Sequence, residues 1–128
     1  MQPNFSRIVE IGRALKDKGS RKKNWHLSAI LNKSKILSIG VNDYTKTHPK
    51  LREFKYHPLA KIHSELNACL KLGLTDCSGL TIVNIRIDKN ENLNNSCYCF
   101  GCSNLVRYLG FKQAFFTDED GNFQEYVL

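Results

Sequence analysis

The 128-residue sequence has no long apolar run. No stretch approaches the roughly 20 consecutive apolar residues of a membrane-spanning helix, so no membrane partner is expected. Residues 1–19 lack the apolar core of a signal peptide and read instead as an amphipathic helix. Phe5, Ile8, Ile11 and Leu15 follow helical spacing, with Gly19 as the stop. The five cysteines cannot all pair, and without an export signal a disulfide framework is a poor reading. Metal binding or catalysis is a better use for them, and the cytoplasm is the expected location. A Walker-type glycine-rich phosphate loop is absent, so ATP chemistry is not suggested. No repeat, low-complexity segment or linker divides the chain, and 1–128 reads as a single domain.

Acidic residues are scarce in the first half. The formal net charge is +7, but residues 1–61 carry 14 Lys/Arg against 4 Asp/Glu, a net of +10, while residues 62–128 carry 5 against 8, a net of −3. Such asymmetry suits a phosphate-bearing partner, a nucleotide or a nucleic acid, although any one cluster such as Arg21-Lys22-Lys23 reads equally well as solvated surface.

Periodicity places the elements. "NWHLSAIL" and "KILSIGVN" flank Asn32-Lys33-Ser34 as a two-stranded hairpin. Residues 43–61, polar and holding two prolines, read as a long loop of the kind that is commonly functional. A helix is expected from Ile62, with Leu66, Cys69 and Leu70 on one face and Gly73 as terminator. "GLTIVNIRI" reads as a buried strand, and "CSNLVRYLG" as a short helix. "KQAFFT" and "NFQEYVL" are strands around the turn sequence Asp118-Glu119-Asp120-Gly121, which implies an antiparallel pair. The order α-β-β-α-β-α-β-β calls for an α/β fold, a mixed sheet of about five strands flanked by helices.

Three cysteines fall in six positions: Cys97, Cys99 and Cys102. Cys99 and Cys102 stand i, i+3 where a helix begins, so both sulfurs can lie on one side of its first turn. His63 opens the preceding helix with Glu65 two positions on. Mid-helix such a pair would diverge, but at a helix tip both side chains can converge beyond the end. The strand–helix alternation brings the two tips to the same sheet edge. Two thiolates and an imidazole make a three-ligand Zn²⁺ site with an open position for water. Each helix N-terminus supplies roughly half a positive charge, which favours thiolate over thiol. Zinc with two thiolates is formally neutral and acidifies water less than an all-imidazole site. A carboxylate that takes the proton is therefore useful, and Glu65 is placed to take it.

His-x-Glu followed by Cys-x-x-Cys at a helix start is the signature of zinc nucleoside deaminases. The sequence resembles the cytidine and deoxycytidylate deaminase superfamily: "HSE" at 63–65 stands for its His-Ala-Glu and "CFGC" at 99–102 for its Cys-x-x-Cys. Tyr98 stands where the family usually has proline. The resemblance extends to the element order over nearly the whole chain and implies a cytidine deaminase-like fold. It implies a hydrolytic deaminase acting on the exocyclic amino group of a cytosine nucleotide or nucleoside such as dCMP or cytidine, with zinc-bound water activated by Glu65. By the same resemblance Asn42, closing "GVN", holds ribose or deoxyribose. Cys97 lends its backbone carbonyl to the substrate's amino group rather than a sulfur to zinc. Ser64, inside the "HSE" motif, and Tyr44, suited to stack on a base, complete the expected substrate contacts.

Two other readings stay open. The same chemistry on cytosine or adenine in single-stranded DNA or RNA suits the +10 half equally well on charge. In another class stands a non-catalytic, zinc-stapled nucleic-acid-binding domain, in which Cys97 closes a Cys₃His site and Glu65 has no role. The absence of a dense aromatic-basic track favours the nucleotide. The expected antiparallel ending resembles the free-nucleoside branch and favours a small substrate, without distinguishing nucleoside from nucleotide; the branches acting on deoxycytidylate or polynucleotides more often join these strands through a helix and run them parallel. Assembly into a homo-oligomer is compatible with the sequence. Outside the site, Cys69, Cys77 and Trp25 are expected to pack, whereas His48 and His57 lie beside Lys46, Lys50 and Lys55 as weaker candidates for phosphate contact.

Overall fold

The computed structural model describes residues 3–17, 25–43, 46–57, 60–73 and 75–128. The expected stop at Gly19, the Arg21-Lys22-Lys23 cluster and Tyr44 lie outside them. Helix α1 (Phe5–Asp17) leads to the hairpin β1 (Trp25–Asn32) and β2 (Lys35–Val41), whose turn is closed by Lys33 at φ 56°. Two helices follow, α2 (Pro49–Glu53) and α3 (Ser64–Lys71), then β3 (Thr81–Ile87), α4 (Phe100–Tyr108) and the final strands β4 (Gln113–Thr117) and β5 (Phe123–Tyr126).

This is the expected order with one addition. The segment read as a long loop contains α2, because His48 Nδ1 accepts the Lys50 N–H at 3.1 Å and Pro49 pre-sets the first helical turn. Leu51, Phe54 and Tyr56 then bury, an apolar set concealed by its polar neighbours. Helix α3 also begins two residues later than Ile62. Ile62 instead bridges Asp43, and His63 takes the N-cap.

The five strands form one mixed sheet in the order β2-β1-β3-β4-β5. The pairs β1/β2, β1/β3 and β4/β5 are antiparallel, and β3/β4, joined through α4, is parallel. The antiparallel ending matches the turn read at 118–121.

Strand alternation divides the core into two layers. Trp25, Leu27, Ala29 and Leu31 of β1 join Val83, Ile85 and Ile87 of β3 against Ile8 of α1. Gly12 lets α1 settle there, and Phe5 stacks on Phe123 at 4.1 Å. On the opposite face Ile30 and Ile82 meet Leu66 and Cys69 of α3 and Leu105 and Val106 of α4. That face also carries polar residues one pair further along: Ser28 lies opposite Asn84, and His26 opposite Arg86. Trp25, 2% exposed, is core.

Helix α3 lies unusually close to β2. A Cβ at Gly40 would fall 2.3 Å from Ala68 N and 2.6 Å from Ser64 O. Ser38 Oγ donates to Ala68 O at 2.9 Å and Asn67 Nδ2 to Val41 O at 2.8 Å, fixing the helix along the strand. Overpacking typically costs about 1–3 kcal/mol, and Gly40→Ala should reach at least the top of that range because the atoms it meets are backbone. A Cβ at Gly12 meets mainly the flexible tip of Ile85, at 2.7 Å, and Gly→Ala in a helix gains up to ~1 kcal/mol of propensity, so Gly12→Ala should be nearly neutral. Urea unfolding of the two variants checks this ordering, and equal losses would contradict the close-approach argument.

Candidate active site

His63 and Cys99 are the N-cap residues of α3 and α4, each with extended backbone, so their side chains leave the helix tips rather than lie along them. The two tips meet. Nδ1 of His63 stands 3.5 Å from Cys99 Sγ and 3.5 Å from Cys102 Sγ, and the three donor atoms all lie within 4.8 Å of one another. Zinc bonds of the usual length to sulfur and nitrogen, at the tetrahedral angle, place S and N about 3.6 Å apart. The spacing and the donor chemistry therefore fit a tetrahedral metal ion, and these three residues can hold one.

The electrostatics of the group are uneven. Hydrogen bonding from the Cys102 side chain, helped by His63 and by the Cys102 backbone N–H, brings the Cys99 thiol down to about 5. Burial pushes Cys102 well above the usual thiol range. The contact with Cys99 raises His63 against the opposing effect of burial.

Glu65, in the first turn of α3, is only 6% exposed and opens on a cavity of about 410 Å³ that His63 and Cys99 also line. Its Oε1 accepts from Ser64 Oγ at 3.0 Å. Ser64 in turn contacts Ser28 Oγ at 2.7 Å, and Ser28 donates to Asn84 Oδ1 at 2.5 Å. The polar residues found on the inner face of β1 and β3 thus form a buried row that runs up to the carboxylate. Asn42 lines the cavity, its Oδ1 accepting the His26 N–H at 3.0 Å. Cys97 lines it too but lies outside the three-donor group, and its N–H donates to Asn95 Oδ1. Cys69 and Cys77 are buried in the packing layer.

Three polar cavity residues were not anticipated: His26, Lys61 and Ser96. Burial lowers the pKa of His26. Its signal was present as the alternation of His26 and Ser28 within an otherwise apolar strand. Tyr98, in the place of the family's proline, anchors the cysteine loop through its side chain, its hydroxyl donating to Phe115 O at 2.9 Å from a buried site.

No protein-family model matches the sequence, and no curated protein does. Among solved structures the chain is similar to the dCMP deaminase of cyanophage S-TIM5, both in its apo form and in complex with dCMP and dUMP. Identity is 17% and the TM-score 0.57 in each case; the match covers 93% of this chain and 86% or 85% of the other. The chain has the dCMP deaminase fold. The cytidine deaminase-like architecture expected from "HSE" and "CFGC" is present, with the ligand-competent residues of both motifs at one point.

One metal ion should bind per chain. Changing His63, Cys99 or Cys102 to Ala should abolish binding and Cys97→Ala should retain it; metal analysis of the purified variants checks this, and loss with Cys97→Ala would mean a closed four-ligand site. Metal binding needs thiolates and a neutral imidazole. Cys99, brought down to about 5, gives up its proton readily, whereas Cys102 and His63, both raised, hold theirs more strongly. Apparent affinity should therefore fall as pH is lowered through neutrality, as read by chelator competition.

Proposed function

We propose that the protein is a zinc-dependent hydrolytic deaminase acting on the exocyclic amino group of a cytosine nucleotide or nucleoside, as a single domain in the cytoplasm. The observation that carries this reading is the presence of Glu65, His63 and Cys99 on one cavity, with the buried Cys102 completing the donor group. The likeness to a dCMP deaminase solved with dCMP and dUMP supports the substrate class. The exposed Lys61 at the same cavity favours a phosphate-bearing substrate, and the antiparallel β4/β5 ending favours a small one.

His63, Cys99 and Cys102 would hold the zinc, which would supply the Lewis acidity needed to make water a nucleophile at neutral pH. Glu65 takes the proton that the attacking water gives up and passes it to the base and the departing nitrogen. A C–O bond forms at the amino-bearing ring carbon, the C–N bond breaks, and ammonia leaves. Asn42 contacts the sugar, and the backbone carbonyl of Cys97 accepts from the substrate's amino group. Ser64 holds the Glu65 carboxylate while lining the substrate side of the cavity. Tyr44, outside the described residues, is proposed to stack on the base.

Glu65→Gln removes the base with little change of shape. Metal content and melting temperature should survive, and ammonia release should fall by at least the 10²–10⁴-fold typical of lost general acid–base catalysis. An active, metal-loaded Glu65→Gln variant would refute the mechanism. On the wild type, dCMP should be turned over with a much higher kcat/KM than deoxycytidine. A single-stranded oligonucleotide bound with a steep salt dependence would instead mark a polymer substrate, since each neutralised phosphate releases counterions.

A further inference from the structure

The metal group has a close neighbour that belongs to neither helix. Tyr56 follows α2 in sequence, is 7% exposed, and brings its hydroxyl to 2.6 Å from Cys102 Sγ. Its ring stands edge-to-face against the His63 imidazole, with centroids 5.0 Å apart at 89°. The ring also fills the space above Gly101, where a Cβ would lie 2.4 Å from its Cγ. The glycine inside "CFGC" is thus the position that admits Tyr56, and one side chain touches a donor residue of each helix.

The two sulfurs are served differently. Cys99 Sγ accepts the backbone N–H of Cys102 at 3.4 Å, a donor supplied by the helix tip. Cys102 Sγ is buried inside the first turn and receives its donor from outside the helix, from Tyr56. As a metal ligand Cys102 is a thiolate with no hydrogen to give, so the Tyr56 hydroxyl is the donor of the pair. A buried tyrosine hydroxyl needs a partner, and a thiolate gains most from a donor where water does not reach.

We infer that Tyr56 is a positioning residue of the metal centre: its hydroxyl donates to Cys102 Sγ, fixes the direction of that sulfur and draws off part of its charge, while its ring fixes the plane of His63. This rests on the reading of His63, Cys99 and Cys102 as metal ligands. It gives the segment between β2 and α3 a function distinct from any contact with substrate. Groups that orient metal ligands in this way typically contribute 10–100-fold in metal affinity.

The test is Tyr56→Phe, which keeps the ring over Gly101 and removes only the hydroxyl. Zinc affinity is measured by chelator competition, the electronic spectrum after Co²⁺ loading, and apo-protein melting on the same preparation. Affinity should fall 10–100-fold, and the thiolate-to-cobalt charge-transfer band should move to lower energy, because a sulfur without its donor is more electron-rich. Gly101→Ala, which displaces the whole ring, should weaken zinc at least as much. Unchanged affinity with an unmoved band overturns the inference and leaves the metal site standing, and so does a lower apo melting temperature with an unmoved band. A wild type that takes up neither ion overturns the metal reading and this inference with it.

Discussion

Backbone lies directly against backbone where α3 crosses β2, and Gly40 is the residue that permits it. The position of the whole site follows from that approach. Ser38 and Asn67 hold the helix along the strand, so its first turn comes to rest over the inner face of β1. There Ser64 reaches Ser28, and His63 projects past the tip toward α4. A helix standing even a methyl group further out would carry His63 and Glu65 with it, while Cys99 and Cys102 stayed fixed by the parallel β3–β4 connection. The site is assembled from two units that meet only if each is seated independently.

The polar row under Glu65 would be costly if left incomplete. Ser28, Ser64, Asn84 and Ser96 are all 2% exposed or less, and an unpaired polar group at such depth costs about 1–3 kcal/mol. Each has partners: Asn84 Nδ2 donates to Ser96 O at 3.4 Å, and Ser96 Oγ contacts Thr117 Oγ1 at 2.9 Å. The row therefore ties α3, β1, β3 and the loop before Cys97 together at the floor of the cavity. Networks of this kind specify one arrangement of a core as well as stabilising it.

The elements legible in the sequence were those whose apolar spacing was uninterrupted. The run "TIVNIRI" could only be buried on both faces, and its one asparagine marks where the polar row crosses. The convergence of His63, Cys99 and Cys102 was legible because helix tips aim side chains beyond the helix, a local rule needing no tertiary knowledge. Helix α2 was not legible, because its apolar Leu51 and the Phe54 that follows it sit among lysines, arginine and glutamate, and its cap is a histidine rather than a serine or aspartate. Tyr56 and His26 stayed hidden for a different reason. Their roles depend on which residue they face across the fold, Cys102 in one case and the cavity around Glu65 in the other, and spacing along the chain carries no record of that.

The hydroxyl row has an arithmetic of its own. Between Glu65 and Asn84 there are three contacts, Glu65–Ser64, Ser64–Ser28 and Ser28–Asn84, but only the two protons of Ser64 and Ser28 to fill them. Asn84 cannot supply a third, because its amide hydrogen is turned toward Ser96 and its oxygen faces Ser28. The row is thus one hydrogen short and can accept one without losing a contact. Only the Ser64 hydroxyl need turn, from Glu65 to Ser28, because Ser28 already donates to Asn84, and the end at which a hydrogen can enter is Glu65. The floor of the cavity is in this sense a vacancy shaped for a single proton, at the carboxylate that shares the cavity with His63 and Cys99.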